Sequence, residues 1–237
     1  LINNEGRKIN EWVQADGMRV ENCRLLDNGK LIRAVNLLSP FYNGKPGAHG
    51  KLELVNWDGT VDWSMTYADE THVLHHDVVP IKQNDNSYHF LAYTWDVIPA
   101  NTAIASGRNP DAVGGSDNYV LVERIIEFEP VGTDDYNIIW EWSTMDHLVQ
   151  EDYPTQGNYV ANGATNNPQL FHFNYFKNNL PSTLTVSDWM HVSGMDYNPT
   201  LDQIVFANHG LNELVIIDHS TTTAEAAGHT GGNNGMG

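Results

Sequence analysis

Helical periodicity is nearly absent from this chain, cations are few, and there is a single cysteine. With Cys23 alone, no internal disulfide can close and no cysteine-rich metal site can be built. Its place in an apolar-alternating run predicts a small buried residue in a strand. Lys and Arg number 12 against 30 Asp and Glu, a net charge of −18. That balance excludes nucleic acid, which needs a basic footprint, and argues against anionic membrane surfaces. It favours solubility and a salty or extracellular setting. No run of eighteen apolar residues occurs, so no segment reads as a membrane-spanning helix, and no secretory leader is visible. Leu1-Ile2-Asn3-Asn4-Glu5-Gly6 reads as a strand entering a turn, and the far end, from Gly231 to Gly237, reads as a glycine-rich loop. Both ends read as cuts through a domain.

What the 237 residues do contain is short alternating runs rich in Val, Ile, Trp and Tyr, set between Asn, Asp, Gly and Pro clusters. This is the pattern of an all-β chain. Residues 18–26 and 30–36 flank Asp27-Asn28-Gly29, a strong hairpin signal. Residues 51–56 and 60–65 flank Trp57-Asp58-Gly59, a second hairpin. Together they predict a four-stranded meander of propeller-blade size. The order repeats with longer loops at 74–81, 88–95, 119–128 and 137–142, then again at 189–197, 203–208 and 213–218. Residues 6–12 match the last strand of such a unit. The expected organisation is therefore a partial β-propeller of about three to four four-stranded blades. Residues 1–12 would end one blade, 18–65 and 74–142 would be blades, and 189–237 would begin the next. Trp12, Trp63 and Trp142 sit in the last strands, where packing between blades is their expected role. Insertions at 97–118 and 143–187 are long enough to be functional or disordered. The second centres on Phe171-His172-Phe173-Asn174-Tyr175-Phe176 and reads equally as a lid over a pocket or as packing at a blade edge.

The repeat also places histidines. Ala207 follows His191 by sixteen residues, Ala92 follows His76 by the same interval, and Ala34 follows Met18 likewise. A hairpin centred near Thr200 makes His191 and His209 cross-strand partners, with Cα atoms about 4.5–5.5 Å apart. In the second unit His76 takes the place of His191, and Thr94 that of His209. If these first strands line a propeller channel, His76, His191 and His209 form a ring of imidazoles. Such a ring can bind an anion when protonated, act as acid or base, form a covalent adduct or ligate a metal. The plainer reading of each is a hydrogen-bonded core histidine.

Other chemistries fit less well. His72 and His76 lie about 13 Å apart along one strand face, too far to share an ion. His75 should point opposite to His76, which denies the tandem pair a chelate. Asp77 and Asp188 either orient the neighbouring imidazoles or cap strands. The sequence holds no Gly-x-Ser-x-Gly elbow, and Gly228-His229-Thr230-Gly231-Gly232 lacks the strand-to-helix setting of a phosphate loop. The arginines 7, 19, 24, 33, 108 and 124 show no cluster and read as surface or strand-edge ion pairs.

Asp188-Trp189-Met190-His191-Val192, residues 203–209, and the run from Asn212 through Ile217-Asp218-His219-Ser220-Thr221-Thr222-Thr223 to Gly232 resemble the bacterial arylsulfate sulfotransferase family, as do His75-His76-Asp77-Val78 and Trp140-Glu141-Trp142. Residues 1–12 and 18–33 resemble its first blade, so the likeness runs from end to end. It implies a six-bladed propeller, periplasmic or secreted. Such an enzyme moves a sulfuryl group from a phenolic sulfate donor to a phenolic acceptor through a sulfated histidine, with no cofactor and no nucleotide donor. By this resemblance His76, His191 and His209 are catalytic and substrate-binding residues. His191 matches the histidine of the family's Asp-Trp-x-His motif and His76 that of its His-Asp motif. His209 stands where other members carry arginine, which exchanges a permanent cation for a titratable one. The sulfated histidine is expected in a later blade, beyond Gly237. The alternative is a non-catalytic propeller that uses its aromatic insertions to bind carbohydrate or a protein partner; a third possibility is a metal-dependent hydrolase. Exposed propeller edges would favour association with other chains.

Overall fold

A computed structural model describes residues 1–14, 17–37, 42, 45–113, 118–176 and 187–235. The protein is mostly β, with 46% of residues in strands and 10% in helices, compatible with the all-β class expected. Strands β1 (Val20–Leu25), β2 (Leu31–Asn36), β3 (Gly50–Val55) and β4 (Val61–Thr66) form the first sheet in that order. Strands β5 (His72–Lys82), β6 (Tyr88–Pro99), β7 (Tyr119–Val131) and β8 (Asp135–Ser143) form the second. Two short strands, β9 (Leu148–Val149) and β10 (Phe171–His172), pair in parallel. The third sheet has three antiparallel strands, β11 (Val192–Asn198), β12 (Gln203–Asn208) and β13 (Glu213–Asp218). Single-turn helices α1 (Ala100–Ala105), α2 (Gly163–Asn166) and α3 (Thr223–Ala226) interrupt the loops.

The chain divides into two compact units, one of residues 1–93 and 126–139, the other of residues 94–125 and 140–237. The division cuts through the strands of the second sheet rather than between the repeats at 18–65, 74–142 and 189–237.

The turn chemistry explains the first sheet. Gly29 and Gly59 sit at φ +83° and +89°, where a side chain would strain the backbone, and each donates its N–H back across the hairpin, to Leu26 and Asn56. Between the hairpins, Arg33 on β2 faces Glu53 on β3. Its Nη2 lies 2.6 Å from Glu53 Oε2 and both side chains are buried, so Arg33 is a central-strand ion pair and not the surface group expected. Cys23 corrects a second expectation. It is exposed, because β1 is paired along one edge only and turns this residue outward. In the first unit the core brings Ile32, Leu52 and Trp63 against Phe90, Ile126 and Phe128. Burying each such side chain is worth about 1.5–3 kcal/mol.

Tryptophans tie outer strands to the loop of the sheet that follows. Trp63 of β4 stacks on Phe128 with ring centroids 5.9 Å apart. Its indole N–H donates to the Asp135 carbonyl at 2.7 Å, and the next residue, Ser64, donates its backbone N–H to Thr133. In the second unit Trp140 of β8 repeats this, donating to Thr221 Oγ1 at 3.3 Å, while the next backbone N–H, of Glu141, reaches Thr223 Oγ1. Trp142 packs on Phe206 of β12. Packing between sheets is thus what these residues do.

Residues 6–12 depart from expectation. Instead of a strand they form a turn closed by Asn3 Oδ1, which accepts the N–H groups of Glu5 and Arg7, with an isolated bridge between Ile2 and Lys8. Among the described residues no strand lies beside them to pair with. Trp12 nevertheless donates its indole N–H to the Asn56 carbonyl at 2.9 Å.

Both insertions are largely packed. The first holds α1 and a 3₁₀ turn at Pro110–Ala112; the second holds a 3₁₀ turn at Thr144–His147, β9, α2 and β10. Their segments 114–117 and 177–186 lie outside the described residues, as do 236–237 of the glycine-rich tail. Phe171 and Phe173 are buried. Arg108, expected at the surface, is also buried, its guanidinium 5.2 Å from the ring centres of both Phe173 and Trp189 and donating to the Phe173 carbonyl. In the second insertion Phe173 is therefore core, while Phe171, His172 and the exposed Tyr175 form a wall of a groove of about 780 Å³.

Candidate functional site

Pairing of β11 with β12 runs Asn198 to Gln203 through Gly194 to Ala207, half a residue off a centre at Thr200. A bulge at Ser193 then moves the register back, so that Val192 faces Asn208. An extra residue in one strand does this while bending it. The result brings His191 against His209, ring centroids 5.7 Å apart and nearly perpendicular. The expected partnership exists, and it needs the bulge. β1 carries a bulge of the same kind at Glu21, with Val20 facing Val35. Counting from it, the first sheet's counterpart of His191 is Arg19 rather than Met18, because its hairpin is one residue shorter.

His191 sits just before β11 with φ +47°, a left-handed conformation uncommon for any residue other than glycine. Its Nδ1 lies 2.6 Å from Asp188 Oδ2, and its ring leans on Trp95 at 6.3 Å. The hydrogen bond to Asp188 raises the imidazole above its usual range, against the opposing effect of burial. Asp188 is itself placed by backbone: it bridges Leu121 in parallel, and Leu121 N–H donates to the Ser187 carbonyl at 2.7 Å. Behind it, buried Glu123 accepts from Trp95 Nε1 and from the Val192 N–H, both at 3.1 Å on Oε1. Burial first, and the nearby Asp188 second, push the Glu123 carboxyl well above the carboxylate range. This arrangement fixes the orientation of His191 and favours its cationic form, the state in which an imidazole binds anions or donates to a developing oxyanion.

His76 occupies the first unit. It too is left-handed, at φ +51°. Its backbone N–H donates to Gly47 at 2.9 Å, and its ring lies where a Cβ on Gly47 would be. Because left-handed backbone breaks the alternation of a strand, His75 and His76 do not point apart as expected. Their Nδ1 atoms are 2.9 Å from each other, so one imidazole donates to the other. His75 stacks on Tyr93 at 5.4 Å. Nearby His49 is buried with no hydrogen-bond partner for either ring nitrogen among the described residues. Burial, with His75 and His76 adding to it, lowers His49 to about 3. Asp77 is held chiefly by the first sheet. It accepts from Asn22 Nδ2 at 2.7 Å, from Arg24 Nη2 and from the Val78 N–H, while the same Asn22 amide reaches the His76 carbonyl at 3.2 Å.

His191 and His209 are thus brought together with Asp188, while His76 lies in the other compact unit beside His75 and His49. Thr94, the counterpart of His209, is fully buried. Glu123, Trp95 and His49 escaped sequence reasoning. A lone acid within Val120-Leu121-Val122-Glu123 was the available signal for Glu123; nothing marked His49. Among the described residues no group of three His, Cys, Asp or Glu is placed to hold a metal ion. No family model matches the chain, and no curated protein or solved structure is similar to it.

Proposed function

We propose that this chain is a β-propeller segment of a periplasmic or secreted aryl-sulfate sulfotransferase, and that His191 and His209 bind the sulfuryl group of a phenolic sulfate ester. The observation that carries the reading is His191 itself, held at its Nδ1 by Asp188, favoured as a cation and set against a second imidazole. As the bond between sulfur and the phenolic oxygen breaks, its electron pair leaves with the phenolate. Imidazolium N–H groups stabilise that charge and the charge on the sulfuryl oxygens. The recipient of the sulfuryl group is a nucleophilic histidine, and then a second phenol. The tryptophan links from Trp63 and Trp140 to the following sheet support the propeller, since blades packed in series need such joints.

The test is binding of 4-nitrophenyl sulfate. Addition of the ester should shift the His191 and His209 ring resonances. His191→Ala should weaken binding about 10–100-fold, the worth of one hydrogen bond to a charged group. Unmoved histidine resonances at millimolar ester would overturn the reading.

A further inference from the structure

Two buried carboxyls stand behind His191. Glu123 on β7 and Asp188 ahead of β11 are 2% and 5% exposed. Asp188 bridges Leu121 in parallel, and Leu121 and Glu123, two residues apart on one strand, point to the same face. The two acids are also anchored to consecutive residues. Asp188 Oδ2 lies 2.6 Å from His191 Nδ1, and Glu123 Oε1 accepts the Val192 N–H at 3.1 Å. Trp95 Nε1 donates to that same Oε1, also at 3.1 Å. Glu123 is held where Asp188 acts on it and raises it, second only to burial. His191 faces the pair, with the His209 ring centroid 5.7 Å beyond its own. Arg124, the next residue of β7, turns to Asp96 and Glu141. Two carboxylates confined to one buried place do not both stay ionised.

We propose that Glu123 and Asp188 share one proton, carried on Glu123 Oε2 and donated to Asp188 Oδ1, and that this proton lets His191 hold an anion. The oxygens assign it. Oε1 accepts two N–H groups and so is the carbonyl oxygen of a neutral acid, which puts the hydroxyl at Oε2. Asp188 Oδ2 accepts from His191 Nδ1, so Oδ1 receives the acid proton. The result is a row of acid, carboxylate and imidazolium with no net charge. A second carboxylate would give that row one excess negative charge in a buried, weakly screened place, and an anion at the imidazole would be repelled. Anion binding and retention of the proton therefore favour each other. Glu123 is a positioning residue here, acting on His191 through Asp188. The identity of the anion as an aryl sulfate rests on the function proposed above; the shared proton does not.

The experiment follows the Glu123 side-chain carboxyl by carbon-13 NMR, assigned through the backbone. In wild type at pH 7 it should stand at its protonated position. In Asp188→Asn its titration should move towards acid by about one pH unit or more, since the like charge that raises it is gone. Saturating 4-nitrophenyl sulfate should move the wild-type titration the other way, by about tenfold in the acid constant, within the range of coupling between neighbouring sites. A charged Glu123 in wild type at pH 7 overturns the shared proton, and that measurement needs no variant to fold. So does a titration that Asp188→Asn leaves in place. Ester that binds without moving the carboxyl overturns the link to anions. Ester that fails to bind, while the carboxyl is protonated at pH 7 and answers to Asp188, supports the shared proton and sinks the aryl-sulfate reading.

Discussion

His76 and His191 share a left-handed backbone, φ +51° and +47°, at matching positions of two sheets. Strained backbone is kept where the surroundings determine it, and it gathers at functional positions. Here the surroundings are Gly47 in one case and Glu123 with Asp188 in the other. The strain can be measured. His191→Gly should be more stable than His191→Ala by about 1 kcal/mol, because glycine accepts this conformation without cost. Both variants should lose aryl-sulfate binding alike. Equal denaturation midpoints for the two would argue against a strained backbone.

The raised His191 fixes a direction for pH. Its folded value lies above the ordinary 6.5, so its contribution to stability is complete below that point and is lost as pH rises through the folded value. Anion binding should fall over the same window. Asp188→Asn removes the first cause and should move the imidazole titration towards acid, read by NMR on the ring Cε1 proton. A titration unchanged in Asp188→Asn would contradict this coupling.

Glu123 has the opposite lean. Its carboxyl is held well above the usual range by burial and by nearby Asp188, which favours the neutral form. Glu123→Gln should then cost less than about 1 kcal/mol. Glu123→Leu leaves the Val192 and Trp95 N–H groups without their acceptor and should cost about 1–3 kcal/mol for each. Chemical denaturation of both variants separates the cases; equal losses would show a charged Glu123.

His49 makes the first unit sensitive to acid. With a folded value of about 3 against an ordinary 6.5, the unfolded chain binds the proton first as pH falls. Stability should drop between those limits by at most about 1.4 kcal/mol per pH unit from this group. His49→Leu should flatten that part of the melting curve against pH. A slope unchanged by the substitution would place the acid sensitivity elsewhere.

Arg33 and Glu53 give a fifth expectation. Arg33→Met leaves Glu53 buried without its main partner and should cost about 3–5 kcal/mol, whereas replacing both with apolar residues of similar volume should cost much less. Urea denaturation of the single and double variants reads the difference.

Strand order was legible because turns announce themselves. Asp27-Asn28-Gly29 and Trp57-Asp58-Gly59 each place glycine where φ is positive, and the alternating runs beside them became strands within a residue or two. The pairing of His191 with His209 was legible as arithmetic, although the ladder begins out of step and Ser193 corrects it. A bulge leaves no mark in composition, so neither the correction nor the shift from Met18 to Arg19 could be read. The contact between His75 and His76 was read wrongly for a related reason: strand alternation assumes extended backbone, and His76 is not extended. Glu123 and His49 were missed because burial depends on what folds over a residue, which a single strand does not disclose.

Gly47 carries a consequence for how this protein can drift. A methyl group there would collide with the His76 ring, on a backbone at φ +84°. Gly47 therefore cannot become alanine while His76 remains, but once His76 has been exchanged for a small residue the collision is gone. Changes at the two positions must come in that order, and an alanine at 47, once established, would bar the histidine from returning.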